Sequence, residues 1–482
     1  MPDQNADRLS SGIDGIDELL GGGFLPHRTY MIRGRSGTGK TIFGYHFLSG
    51  GVGDGGDGLY VAFEETAADI RANAASLGFD LGDVRILDMS PSQELFLEDE
   101  TYSIFSPSEV EGKPFAEEVR DAVETHEPAR VFIDPLTQLR HLSPDEYQFN
   151  RTAASLMSYL KARDATTLFT SQPTTERSDD DLQYLCDGAI TLSRSEHGRT
   201  VEVEKFRGSD FRGGSHAFSI TSEDGLTVFP KILPGTLDRT FTHEQRSSGF
   251  PELDELLGGG IESGSVTLIG GPSGVGKSTT GTAFARETAR RGKTAVLYLF
   301  EESRVSFEHR TEAIGIPVRE MVEEGTLLIR EIEPLALSAD EFAHHVRGDL
   351  EEHDLELVMI DGTSGYRISL QDDEQDLRME LHALCRYLRN EGVTVVVTDE
   401  TSEVTGTFRA SDSHISYLAD NIVFIRYIEV GGEIRKAIGV LKKRFSGFEP
   451  ALRAFRIGSD GIEIGTQLDD LRGVLTGTPS DS

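Results

Sequence analysis

The strongest constraint on this chain is a long internal repeat. Residues 9–23 read Leu-Ser-Ser-Gly-Ile-Asp-Gly-Ile-Asp-Glu-Leu-Leu-Gly-Gly-Gly, and residues 246–260 read Arg-Ser-Ser-Gly-Phe-Pro-Glu-Leu-Asp-Glu-Leu-Leu-Gly-Gly-Gly. A repeat of more than about 200 residues is too long for a solenoid unit and has the size of a whole domain. The sequence therefore predicts tandem domains at 1–235 and 236–470, followed by a disordered tail at 471–482.

Both halves alternate short apolar runs with helical stretches. Buried strands separated by helices are typical of a parallel sheet that is covered on both faces. The predicted fold class is therefore α/β, with a mostly parallel sheet flanked by helices in each half. The predicted strands lie at residues 30–33, 59–63, 130–134 and 166–170, and at 265–269, 295–300, 355–361 and 393–398.

Each copy of the repeat continues into a glycine-rich loop of the form Gly-x4-Gly-Lys-Ser/Thr. Such a loop wraps its backbone N–H groups around phosphates, and the helix that follows adds the positive end of its dipole. The lysine reaches the β- and γ-phosphates, and the hydroxyl residue binds Mg²⁺. The predicted nucleotide-binding residues are Gly34, Ser36, Gly37, Thr38, Gly39, Lys40 and Thr41, and Gly271, Ser273, Gly274, Val275, Gly276, Lys277 and Ser278.

Acidic residues follow two of the apolar strands in each half. An aspartate that ends a strand downstream of a phosphate loop is typical of a metal contact, which makes Thr41 with Asp134 and Ser278 with Asp361 predicted Mg²⁺ ligands. Paired glutamates at the end of another strand can polarise the attacking oxygen. The predicted catalytic residues are Glu64, Glu65, Glu301 and Glu302, with the first of each pair favoured as the base.

Taken together, these residues resemble the KaiC family of RecA-like ATPases over residues 9–464. The resemblance also rests on residues 411–420, Ser-Asp-Ser-His-Ile-Ser-Tyr-Leu-Ala-Asp, a segment that is specific to the second domain of that family. It implies two RecA-like P-loop domains, ATP and Mg²⁺ as cofactors, and a homohexamer with ATP bound between neighbours. The first domain is expected mainly to hydrolyse ATP, and the second to phosphorylate its own hydroxyl residues.

The resemblance further implies cations that act across the subunit interface. Lys205 and Arg207 in the first domain, and Lys442 and Arg444 in the second, would reach the neighbour's γ-phosphate as an arginine finger does. Ser416 is the implied phosphorylation site.

The residue after Ser416 departs from the clock members of the family, which have adjacent Ser and Thr. Tyr417 occupies the second position here, and its hydroxyl lies several Å further from the backbone. We therefore expect phosphorylation at the single site Ser416 rather than an ordered cycle over two sites.

The formal net charge of −35 limits the partners of the chain. Such a charge opposes sequence-independent binding to nucleic acid or to an anionic membrane. It is typical of salt-tolerant proteins, and a halophile-type archaeal source is a hypothesis. No apolar run approaches the ~18 residues of a membrane span, and the two cysteines form no disulfide framework. The expected partners are further copies of the chain and unidentified regulatory proteins, in the cytoplasm.

Three classes of function stay open at this point. The leading prediction is an ATP-hydrolysing signalling or clock-type switch with serine autokinase activity in its second domain. Because recombinases and replicative helicases share the RecA-like fold, an ATPase that handles DNA is an alternative. The third class is a switch that assembles on ATP without catalysis.

Overall fold

A computed structural model describes most of the chain. The described residues are 8–52, 57–90, 107–173, 178–196, 198–235, 244–370, 374–401, 416–430, 432–459, 461–469, 471–472 and 480–481. The chain divides into two compact units, Met1–Lys231 and Ile232–Ser482.

The first unit contains a nine-stranded sheet in the order β3-β2-β4-β5-β1-β6-β7-β8-β9. Neighbouring strands are parallel from β3 to β6 and antiparallel from β6 to β9. The strands are β1 (Thr29–Arg33), β2 (Gly58–Ala62), β3 (Arg85–Asp88), β4 (Arg130–Asp134), β5 (Thr166–Ser171), β6 (Gly188–Ser195), β7 (Gly198–Phe206), β8 (Ser215–Thr221) and β9 (Gly225–Phe229).

The second unit repeats this topology in a nine-stranded sheet of order β14-β13-β15-β16-β12-β17-β18-β19-β20. Two short antiparallel pairs, β10 with β11 and β21 with β22, lie outside that sheet. The strands are β10 (Gln245–Arg246), β11 (Ile261–Glu262), β12 (Val266–Gly271), β13 (Thr294–Leu299), β14 (Leu327–Glu331), β15 (Leu355–Asp361), β16 (Thr394–Glu400), β17 (Asn421–Val430), β18 (Glu433–Lys443), β19 (Arg453–Gly458), β20 (Gly461–Gln467), β21 (Leu471–Arg472) and β22 (Ser480–Asp481).

Helices cover both sheets. In the first unit they are α1 (Asp14–Leu19), α2 (Lys40–Val52), α3 (Ala67–Ser76), α4 (Pro107–His126), α5 (Glu146–Lys161) and α6 (Asp180–Leu185), with a 3-10 helix at Leu136–Arg140. In the second unit they are α7 (Pro251–Leu256), α8 (Lys277–Arg290), α9 (Arg304–Glu312), α10 (Val318–Glu323), α11 (Ala339–Glu352), α12 (Thr363–Ser369) and α13 (Glu374–Asn390).

The helix α5 illustrates why these segments are helical. Its N-cap residue, Asp145, accepts a hydrogen bond from the backbone N–H of Gln148 and so satisfies one of the free donors of the first turn. Its buried residues Phe149, Ala153, Met157 and Leu160 recur at helical spacing, which places them on one face. That face packs against the sheet, and the polar residues face away from it.

Alternating side chains of the central strands pack on opposite faces of each sheet. Tyr30 and Ile32 of β1 belong to one buried apolar cluster, whereas Met31 belongs to a second one. The second unit is built in the same way, with Ile269 of β12 in one cluster and Leu268 in another. The predicted α/β class, with mostly parallel sheets flanked by helices, is confirmed. The antiparallel strands β7–β9 and β18–β20 were not predicted from the sequence.

Candidate nucleotide sites

Each phosphate loop lies at the carboxyl end of the central strand that precedes it. The chain leaves β1 between its neighbours β5 and β6 and enters α2 at Lys40. In an open parallel sheet, ligands bind at such a point, where the order of the strands reverses. The last glycine of the loop, Gly39, has φ 106°, and a Cβ there would lie 2.8 Å from Ile220 Cδ1. The equivalent Gly276 has φ 117°, so glycine is required at both positions by backbone conformation.

In the first unit, the loop threonine contacts the aspartate at the end of β4. Thr41 Oγ1 donates a hydrogen bond of 2.7 Å to Asp134 Oδ2. The same carboxylate accepts hydrogen bonds from Thr170 Oγ1 and from the Tyr60 hydroxyl. Because three hydroxyl groups fix its orientation, the carboxylate of Asp134 is held beside the loop.

The second unit repeats the arrangement with other residues. Ser278 Oγ donates to Asp361 Oδ1 at 2.8 Å, and Thr398 Oγ1 donates to the same oxygen at 2.7 Å. Asp361 is buried, and this burial raises its pKa although the two hydroxyl groups act in the opposite direction. The predicted pairs Thr41 with Asp134 and Ser278 with Asp361 are therefore both brought together.

The loop lysines point back into their own loops. Lys40 Nζ donates to Arg35 O at 2.9 Å, and Lys277 Nζ donates to Pro272 O at 3.0 Å. Desolvation lowers the pKa of both lysines, and carboxylates nearby oppose this shift. The ammonium groups are thus held where a phosphate would replace the carbonyl oxygen as their partner.

The first loop opens into a cavity of about 400 Å³. Its walls combine most of the predicted loop residues with both predicted glutamates and the predicted metal ligand. The lining residues are Ser36, Gly37, Gly39, Lys40, Thr41, Ile42, Tyr60, Ala62, Glu64, Glu65, Asp134, Pro135, Gln172, Arg199 and Ile220.

Both glutamates of the first pair have an amide side chain as their partner. Glu64 Oε1 accepts from Gln138 Nε2 at 2.6 Å, and Glu65 Oε2 accepts from Asn73 Nδ2 at 3.1 Å. Both glutamates are exposed. Gln138 lies in the 3-10 helix that follows Asp134, so Glu64 is directed toward the metal ligand, whereas Glu65 is directed toward α3.

The two glutamates of the second pair, Glu301 and Glu302, have partners of different kinds. Glu301 Oε1 accepts the backbone N–H of Gly365 at 3.0 Å, and a Cβ on either Gly362 or Gly365 would lie 2.7 Å from the Glu301 side chain. Glu301 is exposed, but partial desolvation and the charges of Glu400 and Asp361 raise its pKa, against the hydrogen bond from Gly365. Glu301 therefore belongs to the acidic group around the metal ligand.

Glu302 is held by an arginine instead. Arg310 Nη2 donates to Glu302 Oε2 at 2.8 Å, and Ser306 Oγ donates to its Oε1 at 3.1 Å. Arg310 also reaches Thr279 of α8. The charges of both glutamates interact with that of Asp361, but the charge of Glu302 is held in an ion pair with Arg310 of α9, whereas the structure gives Glu301 a backbone N–H as its partner.

Sequence reasoning missed one cation in each site. Arg199 Nη1 donates to Gly37 O at 2.8 Å, and Lys436 Nζ donates to Gly274 O at 3.0 Å. The two residues occupy the same place in the two copies, on the second strand of the hairpin, which is β7 in the first unit and β18 in the second. The repeat carried this signal, because a cation recurs at the same interval as the loop lysines.

A polar residue at the end of β5 or β16 was also missed. Gln172 lines the first cavity, and the equivalent position in the second unit is Glu400, which pairs in register with the loop residue Gly271. The charge of Glu400 acts on both Lys277 and Glu301. The second site is therefore more acidic than the first.

In the first unit, the cations implied for the subunit interface, Lys205 and Arg207, do not line the cavity. Lys205 Nζ donates to Cys186 O at 2.7 Å, and Lys442 Nζ donates to Ala419 O at 2.7 Å. These carbonyls lie just before β6 and β17, and Arg207 and Arg444 follow the two lysines closely in sequence. We call this place, at the start of β6 or β17, the corner of each unit. Arg207 is exposed, and Arg444 Nη1 pairs with Asp420 Oδ1 at 3.1 Å.

Ser416 lies in the turn that ends immediately before this corner. It is half-buried, and its neighbour Tyr417 is 56% exposed. The rest of the specific segment, at residues 411–415, lies outside the described residues. The first unit has a tyrosine at the equivalent place, since Tyr184 also precedes the carbonyl that accepts the corner lysine. A tyrosine at this position is therefore common to both copies and is not a feature of the second copy alone.

The parallel sheet, the phosphate loop and the paired hydroxyl and aspartate define a P-loop nucleoside triphosphatase in each unit. A family model described as "ATPase: KaiC" matches residues 9–232 and again residues 246–469. The chain belongs to the KaiC ATPase family, which confirms the family predicted from the sequence. Membership of this family supports ATP binding and ATPase activity.

Similar proteins match over nearly the whole chain. A circadian clock oscillator protein KaiC from Acaryochloris marina is 29% identical over 492 residues, which cover 98% of this chain and 91% of that protein. Circadian clock oscillator protein KaiC 1 from Synechocystis is 28% identical over 495 residues, covering 100% and 93%. The KaiC of Synechococcus elongatus is 28% identical over 488 residues, covering 98% and 92%. In the part of the chain that the structure describes, no helix has the length and apolar character needed to cross a membrane.

Proposed function

We propose that this KaiC-family chain is an oligomeric, ATP-driven signalling switch that hydrolyses ATP in its first domain and phosphorylates Ser416 with its second. The observation that carries the proposal is the duplicated catalytic set. In both units a loop hydroxyl contacts a strand-end aspartate, at 2.7 Å in the first and 2.8 Å in the second, beside the loop lysine.

The donor set of each unit fits Mg²⁺. A hydroxyl and a carboxylate supply hard oxygen ligands, which Mg²⁺ prefers when it is held by one or two protein groups and by phosphate oxygens. Thr41 with Asp134, and Ser278 with Asp361, would hold the ion directly or through water. When bound, it neutralises charge on the β- and γ-phosphates during phosphoryl transfer.

The lysines bind and orient the nucleotide. Lys40 and Lys277 exchange a carbonyl partner for the β- and γ-phosphates. Arg199 and Lys436 hold the tip of each loop, where they add positive charge from the same chain. The helix dipoles of α2 and α8 act in the same direction.

Glu64 and Glu301 act as the bases. In the first domain, Glu64 takes a proton from water while water oxygen bonds to the γ-phosphorus and the bond from that phosphorus to the bridging oxygen of ADP breaks. In the second domain, the hydroxyl of Ser416 replaces water, and its proton passes to Glu301 as the Oγ–P bond forms. ADP leaves in both cases.

Assembly into a homohexamer completes each site. Lys205 and Arg207 do not line the cavity of the first unit, and Lys442 and Arg444 occupy the equivalent corner of the second unit. Both pairs would contact the nucleotide of the neighbouring subunit. Catalysis then depends on assembly, as it does with an arginine finger supplied in trans. Ser416 lies at the same corner, so the proposed transfer is also between subunits. Unidentified regulatory proteins and a cytoplasmic location stay predictions.

The proposal is tested by size-exclusion chromatography with light scattering, with and without Mg-ATP, together with phosphate release. We expect a hexamer that depends on ATP, with less phosphate release in the Lys40→Ala variant. A matched control, Lys293→Ala, removes an exposed lysine that pairs at 3.2 Å with the highly exposed Asp354, away from the proposed catalytic groups. A chain that stays monomeric with ATP, or a Lys40→Ala variant with unchanged phosphate release, contradicts the proposal.

A further inference from the structure

A cavity of about 180 Å³ lies in the second unit, beside the turn that contains Ser416. Tyr417 lines it, together with Arg386 and Arg389 of α13 and with Arg444, the residue that follows β18. His382, one turn before Arg386, completes its basic side. Four basic side chains and the hydroxyl group of Tyr417, all able to donate hydrogen bonds to an anion, therefore surround one small space.

The cavity has more cations than nearby carboxylates to balance them. The buried carboxylate of Asp420 pairs with Arg444 at 3.1 Å and with Arg389 at 3.5 Å. Arg386 is exposed and forms no ion pair with a carboxylate among the residues that the structure describes. Desolvation lowers the pKa of His382, and the charges of Arg386 and Arg389 add to this effect. A chain with a net charge of −35 thus keeps a local excess of positive charge here.

The first unit has the same corner without these extra groups. Thr167 and Val395 occupy the same register against β1 and β12. Arg386 and His382 lie 9 and 13 residues before Val395. The residues at the same intervals before Thr167 in the first unit are Ser158 and Ala154.

The rest of this corner is common to both units. Lys161 pairs with Asp187 at 3.7 Å, as Arg389 pairs with Asp420. The additional basic residues therefore occur only in the copy that carries Ser416.

We propose that this cavity is a binding site for a phosphate group. A single water occupies about 30 Å³ of liquid, so the cavity has room for a tetrahedral anion. Arginine matches such an anion well because its planar donors bind two oxygens at once. The ring of His382 contacts that of Tyr417 edge-on at 5.6 Å, which fixes the wall next to Ser416.

The phosphate could come from two sources that share this chemistry, the phosphoryl group on Ser416 or free inorganic phosphate. Only the first source rests on the proposed autokinase function.

The site is tested first with inorganic phosphate. The whole chain is saturated with Mg-ADP, so that both phosphate loops are filled, and phosphate is titrated by calorimetry. The double variant His382→Ala, Arg386→Ser restores the residues of the first unit. Because a hydrogen bond to a charged group contributes about 1.5–3 kcal/mol, we expect the variant to bind phosphate at least about tenfold more weakly.

Two further variants serve as controls for this titration. Arg435→Ser removes an exposed arginine that pairs with Glu433 on a hairpin of the same unit, and it should bind phosphate like the parent. Arg386→Glu reverses the charge at an exposed position and should abolish binding while the melting temperature stays unchanged. No binding by the parent chain beyond the two ADP sites, or equal binding by parent and double variant, overturns the proposal.

The second source is tested on Ser416 itself. The chain is incubated with Mg-ATP, ATP is removed, and the phosphate on the Ser416 peptide is followed over time. A shorter lifetime in the double variant assigns the cavity to phosphoserine, and an equal lifetime assigns it to free phosphate. If Ser416 never acquires phosphate, the autokinase function fails, whereas the titration with free phosphate still decides whether the site exists.

Discussion

Replacing Glu301 with glutamine separates chemistry from structure at the second site. The amide oxygen of the new side chain can still accept the N–H of Gly365 at 3.0 Å, so the contact with α12 is kept. What is lost is the carboxylate that accepts the proton. A general base typically contributes 10²–10⁴-fold to the rate, and we expect phosphorylation of Ser416 to slow by about 10²-fold or more.

The matched control is Glu302→Gln. Glu302 forms an ion pair with Arg310 at 2.8 Å, and the side chains of Glu302 and Arg310 are 25% and 36% exposed. A pair of this exposure contributes about 1 kcal/mol or less, so this variant should lose a little stability and keep its activity. The two variants should therefore show opposite patterns. Glu301→Gln should be inactive with a melting temperature equal to that of the parent or above it, and Glu302→Gln should be active with a slightly lower melting temperature.

The assay is mass spectrometry of the Ser416 peptide after timed incubation with Mg-ATP, alongside phosphate release. Glu64→Gln provides the parallel change in the first domain and should remove most phosphate release while Ser416 is still phosphorylated. Wild-type phosphorylation in Glu301→Gln, or loss of phosphorylation in Glu302→Gln, would refute the assignment of the first glutamate as the base.

Three further predictions follow from the same contacts. Thr41→Val removes the hydroxyl that contacts Asp134, so the affinity for Mg-ATP at the first site should fall about tenfold when measured by nucleotide titration. Gly39→Ala places an alanine at φ 106°, which is strained for a residue with a side chain, and its Cβ would lie against Ile220. This variant should therefore have a lower melting temperature and weaker ATP binding. Because the pKa of Glu301 is raised, Ser416 phosphorylation should fall on acidification at a higher pH than an ordinary glutamate would give, and rate profiles against pH check this. The same raised pKa means that folding favours the protonated form, so this residue adds stability as the pH falls while activity is lost.

The duplicated loop was predictable because its chemistry is local. Glycines at fixed spacing, a lysine and a hydroxyl act within a few residues of one another, and the strand that precedes them is a plain apolar run. The contact of Thr41 with Asp134 was predictable for a related reason. The carboxyl ends of parallel strands lie at one edge of a sheet, and only β5 separates β1 from β4.

The different environments of the two glutamates in each pair could not be read from the chain. Glu301 and Glu302 are adjacent and chemically identical, and they differ only through the N–H of Gly365 on one side and the guanidinium of Arg310 on the other. These partners come from other elements, so their positions depend on tertiary packing. The same holds for Gln172 and Glu400, which no motif marks.

The equivalence of Tyr184 and Tyr417 was missed because the interval between the two copies is not constant. The hairpin of β17 and β18 is longer than that of β6 and β7, and the second copy also has more residues between β15 and β17 than the first copy has between β4 and β6. The two tyrosines are aligned by structure instead, through the common contacts of Lys205 and Lys442 and through the register of β6 and β17 against the central strands. Tyr417 is thus better explained as part of the shared corner than as a replaced phosphorylation site.

The central claim is that two similar ATP sites differ in their acceptor, with water in the first domain and Ser416 in the second. The most direct test is transfer of label from γ-labelled ATP, followed by peptide mapping of the parent chain, Ser416→Ala and Lys277→Ala. We expect label on the Ser416 peptide of the parent, none in either variant, and continued phosphate release in both. A parent chain that releases phosphate without labelling Ser416, or a Ser416→Ala variant that is labelled to the same extent, would contradict it.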